Sequence, residues 1–203
     1  MAKQSFTFKV AGAAGEGIMS AGLLFSKTAA RSGFYIFDYT EYPSLITGGH
    51  NTYQVHFSQN AIYCQSPKTN ILLALNSDSL KIHNLELSAE SIVIYDSETI
   101  KTPIEEFKIP AITLDIPMAK LAIESGGKEL MSNNVGFGAA AYLAGFDLSI
   151  VNLIISEVFA GKDQAIIDTD SKAAAAGFNF AKAKIPSKLT GKLSNPEPKT
   201  TMS

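Results

Sequence analysis

The chain has 203 residues and is 46% hydrophobic, enough to bury a substantial core in one domain with or without a tail. Its formal net charge of −2 and isoelectric point near 5.9 leave no basic field to attract nucleic acid or an anionic membrane. The apolar runs ILLAL and GFGAAAYLAGF are too short to span a bilayer, and MAKQSFTFKV lacks an apolar signal core, so a cytoplasmic location is expected.

SFTFKVA is β-rich and leads directly into glycines. Apolar or small residues then recur at Ile18, Ala21, Gly22, Phe25 and Ala29, the spacing of one helix face. FYIFDY follows as a second strand, so the first forty residues read as strand, glycine turn, helix, strand, the βαβ pattern. EYPSLITGGH is a loop by composition, and NTYQVHFS resumes strand alternation with Tyr53, Val55 and Phe57 on one side. NILLAL, SIVIYD and AITLD read as further strands. Helices are expected from about Ser77 and from near Pro117, Asn133, Ile150 and Asp163. The last helix places Ala173, Ala176, Gly177, Phe180 and Ala181 on one face. Beyond Pro186, PSKLTGKLSNPEPKTTMS has three prolines and no apolar periodicity and reads as a linker.

Gly12, Gly15 and Gly17 give G-x-x-G-x-G, the reverse order of the dinucleotide fingerprint. Residues without Cβ permit a tight strand-to-helix turn and leave helix N-terminal N–H groups open to an anion, and Asp38 stands where a ribose-binding acid might. A turn that only shapes the corner explains the same glycines, and Glu16 puts a negative charge where a phosphate would sit. His50, beside Gly48 and Gly49 and ahead of Asn51 and Thr52, faces either a ligand or its own backbone. His56 is expected on the less buried face of its strand and His83 on a helix surface. Asn133 and Asn134 read as a helix N-cap, and Glu105 and Glu106 as a solvated face. The single cysteine, Cys64, excludes an internal disulfide and a metal site built on several thiolates. No nucleophile elbow, P-loop or H-E-x-x-H pattern is present, and no catalytic residue or metal ligand is assigned.

Taken together these blocks resemble the γ domain of the 2-oxoacid:ferredoxin oxidoreductases, of the kind fused to the front of the α subunit in 2-oxoglutarate-class enzymes. The resemblance rests on the Gly12, Gly15, Gly17 turn, Ala21-Gly22, and Tyr42-Pro43-Ser44 through Gly48-Gly49-His50-Asn51. It is extended by Ser58 closing the strand, by Asn134 before the small-residue helix and by Ala173 to Gly177-Phe178, and it covers roughly residues 5 to 182. It implies a Rossmann-like, swivelling, three-layer α/β domain over residues 1–185, with a mostly parallel sheet, a small hairpin-like insertion and a linker over 186–203. Ser203 is then expected to be a fragment boundary.

The resemblance also implies a place in a complex. Its partners would be a thiamine-binding α domain and a β subunit that pass electrons to ferredoxin, with thiamine diphosphate, Mg, an iron–sulfur cluster and coenzyme A as the cofactors of the whole and the isolated chain inactive or self-associating. The cofactor-contacting or interface residues are Gly12, Ala13, Ala14, Gly15, Glu16 and Gly17 of the turn, with Thr47, Gly48, Gly49, His50 and Asn51 of the loop. The chain departs from the family in having Thr47 and His56 where arginine is common, which removes charge-assisted bonds of about 1.5–3 kcal/mol each to a phosphate or carboxylate. Two other readings of the residues stand beside this one: a stand-alone NAD-type dehydrogenase and a non-catalytic binding module.

Overall fold

The computed structural model describes residues 5–42 and 49–185. Thr47, Gly48 and the expected linker at 186–203 lie outside the described residues. Six strands form one sheet in the order β2-β3-β1-β4-β5-β6: β1 (Ser5–Ala13), β2 (Tyr35–Glu41), β3 (His50–Ser58), β4 (Ile71–Ala74), β5 (Ile92–Tyr95) and β6 (Ile112–Asp115). The β1–β4, β4–β5 and β5–β6 pairs are parallel, whereas β1–β3 and β2–β3 are antiparallel. The parallel strands ILLA and IVIY are buried on both faces, which is why they read as unbroken apolar runs.

The first strand, helix and second strand follow the expected βαβ order, but β2 does not lie beside β1. The hairpin partner β3 inserts between them, so the β2–β3 hairpin is an integral part of the sheet. Local pattern carries no information on that pairing, because alternation in β2 and β3 is satisfied by either neighbour.

One face of the sheet carries α1 (Ile18–Arg31), α3 (Met118–Glu124), α4 (Ser132–Leu143), α5 (Leu148–Val158) and α6 (Gln164–Lys184). Phe8 and Val10 of β1, Ile71 and Leu73 of β4, and Ile92 and Ile94 of β5 point into this layer. Phe25 of α1 stacks on Phe8 with centroids 4.0 Å apart and meets Phe57 and Phe146 at 5.6 and 5.3 Å. α4 and α6 cross so closely that a Cβ at Gly138 would collide with the carbonyl of Ala174, and one at Gly177 with that of Val135. The third layer, on the other face, is thin. It consists of α2 (Ser77–Ile82) and 3-10 turns at Asn84–Glu86 and Ile104–Phe107, packed on Ala11, Leu72, Ala74, Val93 and Tyr95.

Several local expectations are corrected. Asn133 and Asn134 lie inside the first turn of α4 and act as cross-links: Asn133 Nδ2 donates to the Gly17 carbonyl at 3.2 Å and Asn134 Nδ2 to Asp170 at 2.6 Å. The buried face of α6 is Ile167, Asp170, Ala173, Ala174, Gly177, Phe178 and Ala181, with Ala176 and Phe180 only partly covered. His83 closes α2 and is 2% exposed, not a surface residue, and His56 is buried with Nδ1 bonded to the Cys64 carbonyl at 2.8 Å. His83 is held on one side by Glu86, three residues on, and on the other by His50, a partner that local spacing does not reveal. Glu105 and Glu106 are exposed as expected.

Candidate functional site

β1 ends in a corner whose geometry depends on glycine: Gly15 and Gly17 sit at φ 94° and 79°, the left-handed region that other residues occupy at a cost. Gly17 is the N-cap of α1 and no side chain caps that helix end. The first amides of α1 therefore lack intrahelical partners, and Ile18, Met19 and Ser20 line an open hollow of about 300 Å³ with Gly15, Gly17, Tyr42 and Asn51. Gly15 is exposed there, and Ala14 beside it in the chain is exposed as well.

Glu16 turns away from this hollow. Its carboxylate accepts from its own turn, at Ala13 N (2.6 Å), and from Asn76 Nδ2 (3.1 Å). It lines a second hollow of about 340 Å³ with Leu75, Asp96, Thr99, Met118, Ala119, Glu129, Leu130 and Ser132. The glycine turn is thus the wall between two hollows at the carboxyl ends of β1, β4 and β5, where open α/β sheets receive ligands. Asp96 is already occupied there, accepting from Glu98 N at 2.9 Å and Ala119 N at 3.1 Å.

The structure brings the turn and the end of the loop together. Ala13 lies opposite His50 and Gly12 opposite Asn51 across the β1–β3 ladder, and Gly49 is buried beside them. His50 does not sit in a loop bonded to backbone; it opens β3 and its Nε2 lies 2.8 Å from His83 Nε2. Asp38, the candidate ribose acid, is in mid-β2, separated from the glycine turn by β3 and engaged by Ser26 Oγ (2.7 Å) and Tyr53 OH (2.9 Å). Burial, then the charge of Asp38 and its bond, push the Tyr53 hydroxyl far above its ordinary value, so it stays a donor to Asp38.

Among the described residues no lysine, arginine or thiol lines either hollow, and no group of three His, Cys, Asp or Glu side chains is placed to hold a metal. An iron–sulfur cluster needs several thiolates, and the chain has Cys64 alone, so this chain's donor set does not fit one. No helix of the described residues is long and apolar enough to cross a membrane. The polar cluster of Lys9, Thr69, His83 and Glu86 beneath β1 is the part of the surroundings that sequence reading missed. Its only signal was a lysine alternating with Phe8 and Val10 in a buried strand.

The fold is a mixed α/β domain with two open hollows at the carboxyl edge of its sheet. Residues 7–180 match the family described as Pyruvate ferredoxin/flavodoxin oxidoreductase, and the chain belongs to that family. Ketoisovalerate oxidoreductase subunit VorA of Methanothermobacter thermautotrophicus is 29% identical over 185 residues, which are 89% of this chain and 37% of that protein. The chain thus spans little more than a third of that relative's length. The 2-oxoglutarate synthase subunit KorC of Archaeoglobus fulgidus is 23% identical over 150 residues, 73% of this chain and 76% of its own length.

Among solved structures, the 2-oxoglutarate:ferredoxin oxidoreductase of Magnetococcus marinus, with 2-oxoglutarate, coenzyme A and succinyl-CoA bound, superposes with a TM-score of 0.81 at 26% identity. That match covers 89% of this chain and 32% of the other. The γ subunit of a keto/oxoacid ferredoxin oxidoreductase from Geobacter sulfurreducens shares the fold, with a TM-score of 0.72 at 21% identity over 88% of this chain and 99% of that one.

Proposed function

We propose that the chain is the γ domain, over residues 1–185, of a cytoplasmic 2-oxoacid:ferredoxin oxidoreductase, with 186–203 as the linker to a thiamine-binding α domain. The observation that carries the reading is the uncapped α1 N-terminus and glycine corner set beside Asn51, an open edge suited to binding an anion. Membership of the oxidoreductase family supports it. A 2-oxoglutarate-class substrate is favoured, on the likeness to the Magnetococcus marinus enzyme and the Archaeoglobus fulgidus subunit.

In this reading, thiamine diphosphate with Mg on the partner domains supports decarboxylation, and a cluster held elsewhere passes electrons to ferredoxin. What this chain contributes is binding. The free amides of Ile18, Met19 and Ser20 suit an anionic group such as a coenzyme A phosphate, and the absence of Cβ at Gly15, which faces open space, lets it approach. Glu16, tied to Ala13 and Asn76, keeps its charge out of that hollow. Exposed Met19 and Tyr42 are apolar cover for a neighbouring domain.

The test is reduction of ferredoxin by the chain assembled with its α domain and β subunit, driven by 2-oxoglutarate and coenzyme A. The assembly is expected to turn over and the 203-residue chain alone to be inert. A Gly15→Val change is expected to raise the KM for coenzyme A at least tenfold while ferredoxin affinity is unchanged. Micromolar binding of NADH by the chain alone would instead favour a dinucleotide enzyme, a reading that Asp38 in mid-β2, held by Ser26 and Tyr53, disfavours.

A further inference from the structure

On the α2 face of the sheet a line of polar groups runs from the middle of β1 to the first residue of β3. Lys9 Nζ and Thr69 Oγ1 donate to one oxygen of Glu86 at 2.6 and 2.7 Å. The other oxygen takes His83 Nδ1 at 2.7 Å, and His83 Nε2 faces His50 Nε2 at 2.8 Å.

The protons on this line can be counted. Burial raises the Glu86 carboxyl, but its bonds from His83, Lys9 and Thr69 outweigh that and hold it at about 2, so it is a carboxylate and only accepts. His83 Nδ1 therefore carries hydrogen. Between two Nε2 atoms 2.8 Å apart there is room for one proton. With both rings neutral, His50 donates to His83 and its own Nδ1 is bare. An additional proton must reside on His50 Nδ1, whichever ring then bears the charge, because the bridging position is full.

That nitrogen is buried and has no hydrogen-bond partner among the described residues. A proton placed there becomes an unpaired buried donor, satisfied only if the residue moves toward water.

We propose that the His50–His83 pair is a proton-operated latch: it holds the start of β3 against the end of β1 while the pair is neutral, and releases that edge when His50 Nδ1 is protonated. The ladder Ala13–His50 and Gly12–Asn51 is what the latch secures, so release loosens the wall of the hollow that Asn51 lines. The groups facing His50 set its threshold. Burial lowers its proton affinity most, followed by His83; Asp78 of α2 and Glu41 of β2 raise it, and Lys9 of β1 lowers it, leaving the net below 6.5. The latch stands independently of the function proposed above.

The test is amide hydrogen exchange on the full 203-residue chain at pH 7.5 and pH 5, corrected for intrinsic exchange rates. Protected amides of residues 12–13 and 50–52 are expected to exchange at least tenfold faster at the lower pH, while Leu73 and Ile94 at the sheet centre hold their protection. His50→Gln retains a donor toward His83 but cannot titrate, and is expected to abolish the difference. Equal protection of this edge at both pH values overturns the proposal, as does acid loosening that survives in His50→Gln or spreads to the whole sheet. Should that variant not fold, nitrogen-15 shifts of the imidazoles in the unaltered chain decide. One bridging N–H at pH 7.5 and a single first proton uptake support the latch; two rings titrating independently near 6.5 sink it.

Discussion

β1 has two faces, and they are built on different physics. Toward the helices it shows Phe8 and Val10, in a layer of stacked rings and of glycines that let α4 and α6 touch. Toward α2 it shows Thr7, Lys9 and Ala11, with Lys9 only 6% exposed and held by Glu86. Packing of the first kind is indifferent to pH. A buried charge network of the second kind is sensitive to every proton it gains, because each partner is stable only while the other is ionised. The comparison teaches that the aromatic face stabilises the domain by packing alone, while the polar face holds a buried charge whose contribution depends on pH.

Four experiments sharpen or break that contrast. Phe25→Ala removes the ring shared by Phe8, Phe57 and Phe146 and is expected to cost about 3–5 kcal/mol in urea unfolding, equally at pH 7 and pH 5. Glu86→Gln leaves Lys9 buried without a counter-charge and is expected to cost roughly 3 kcal/mol at pH 7, with little cost remaining at pH 2. If the cost is the same at both pH values, the network is packing in disguise.

The pH profile of the unaltered chain follows with its signs worked out. Glu86, held at about 2 against an ordinary 4.5, contributes stability that is complete above 4.5 and lost as pH falls toward 2, on the order of 3 kcal/mol in all. His50 is lowered from 6.5, so the unfolded chain takes the proton first and stability declines as pH drops through 6.5. Asp170 works in the opposite sense: burial raises its carboxyl above 3.8 against the lowering by Lys162 and Asn134, so the folded chain takes up that proton first and gains as pH falls into that range. Thermal melts from pH 8 to pH 3 are expected to show a net fall, and a flat profile would contradict the assignment. The smallest effect is at the surface: Asp163→Ala removes the α6 cap to Ala165 N and is expected to cost about 1 kcal/mol, without pH-dependent loosening of β3.

The elements themselves were readable because each carries its own period. Ile18, Ala21, Gly22, Phe25 and Ala29 all prove buried, and Asp163 caps α6 as its residue type suggests. The glycine turn and Gly49 to Asn51 were both singled out as candidates, and the sheet brings them side by side. What escaped was anything whose partner lies far along the chain: His83 against His50, Lys9 against Glu86, and Asn133 against Gly17, separated by 33, 77 and 116 positions. A polar residue has no period of its own, and its role depends on which group arrives opposite it.

By itself the amino-acid sequence determined the α/β class, the strand and helix order, the glycine corner and the oxidoreductase family, since these follow from local conformational preference and ordered motifs. Only the tertiary structure decided that β3 lies between β1 and β2, that Glu16 is folded back onto its own turn, and that the rings of His50 and His83 meet Nε2 to Nε2. Strand pairing and buried hydrogen bonds are settled by which distant surfaces and polar groups must leave water together, and that choice exists only once the chain has folded.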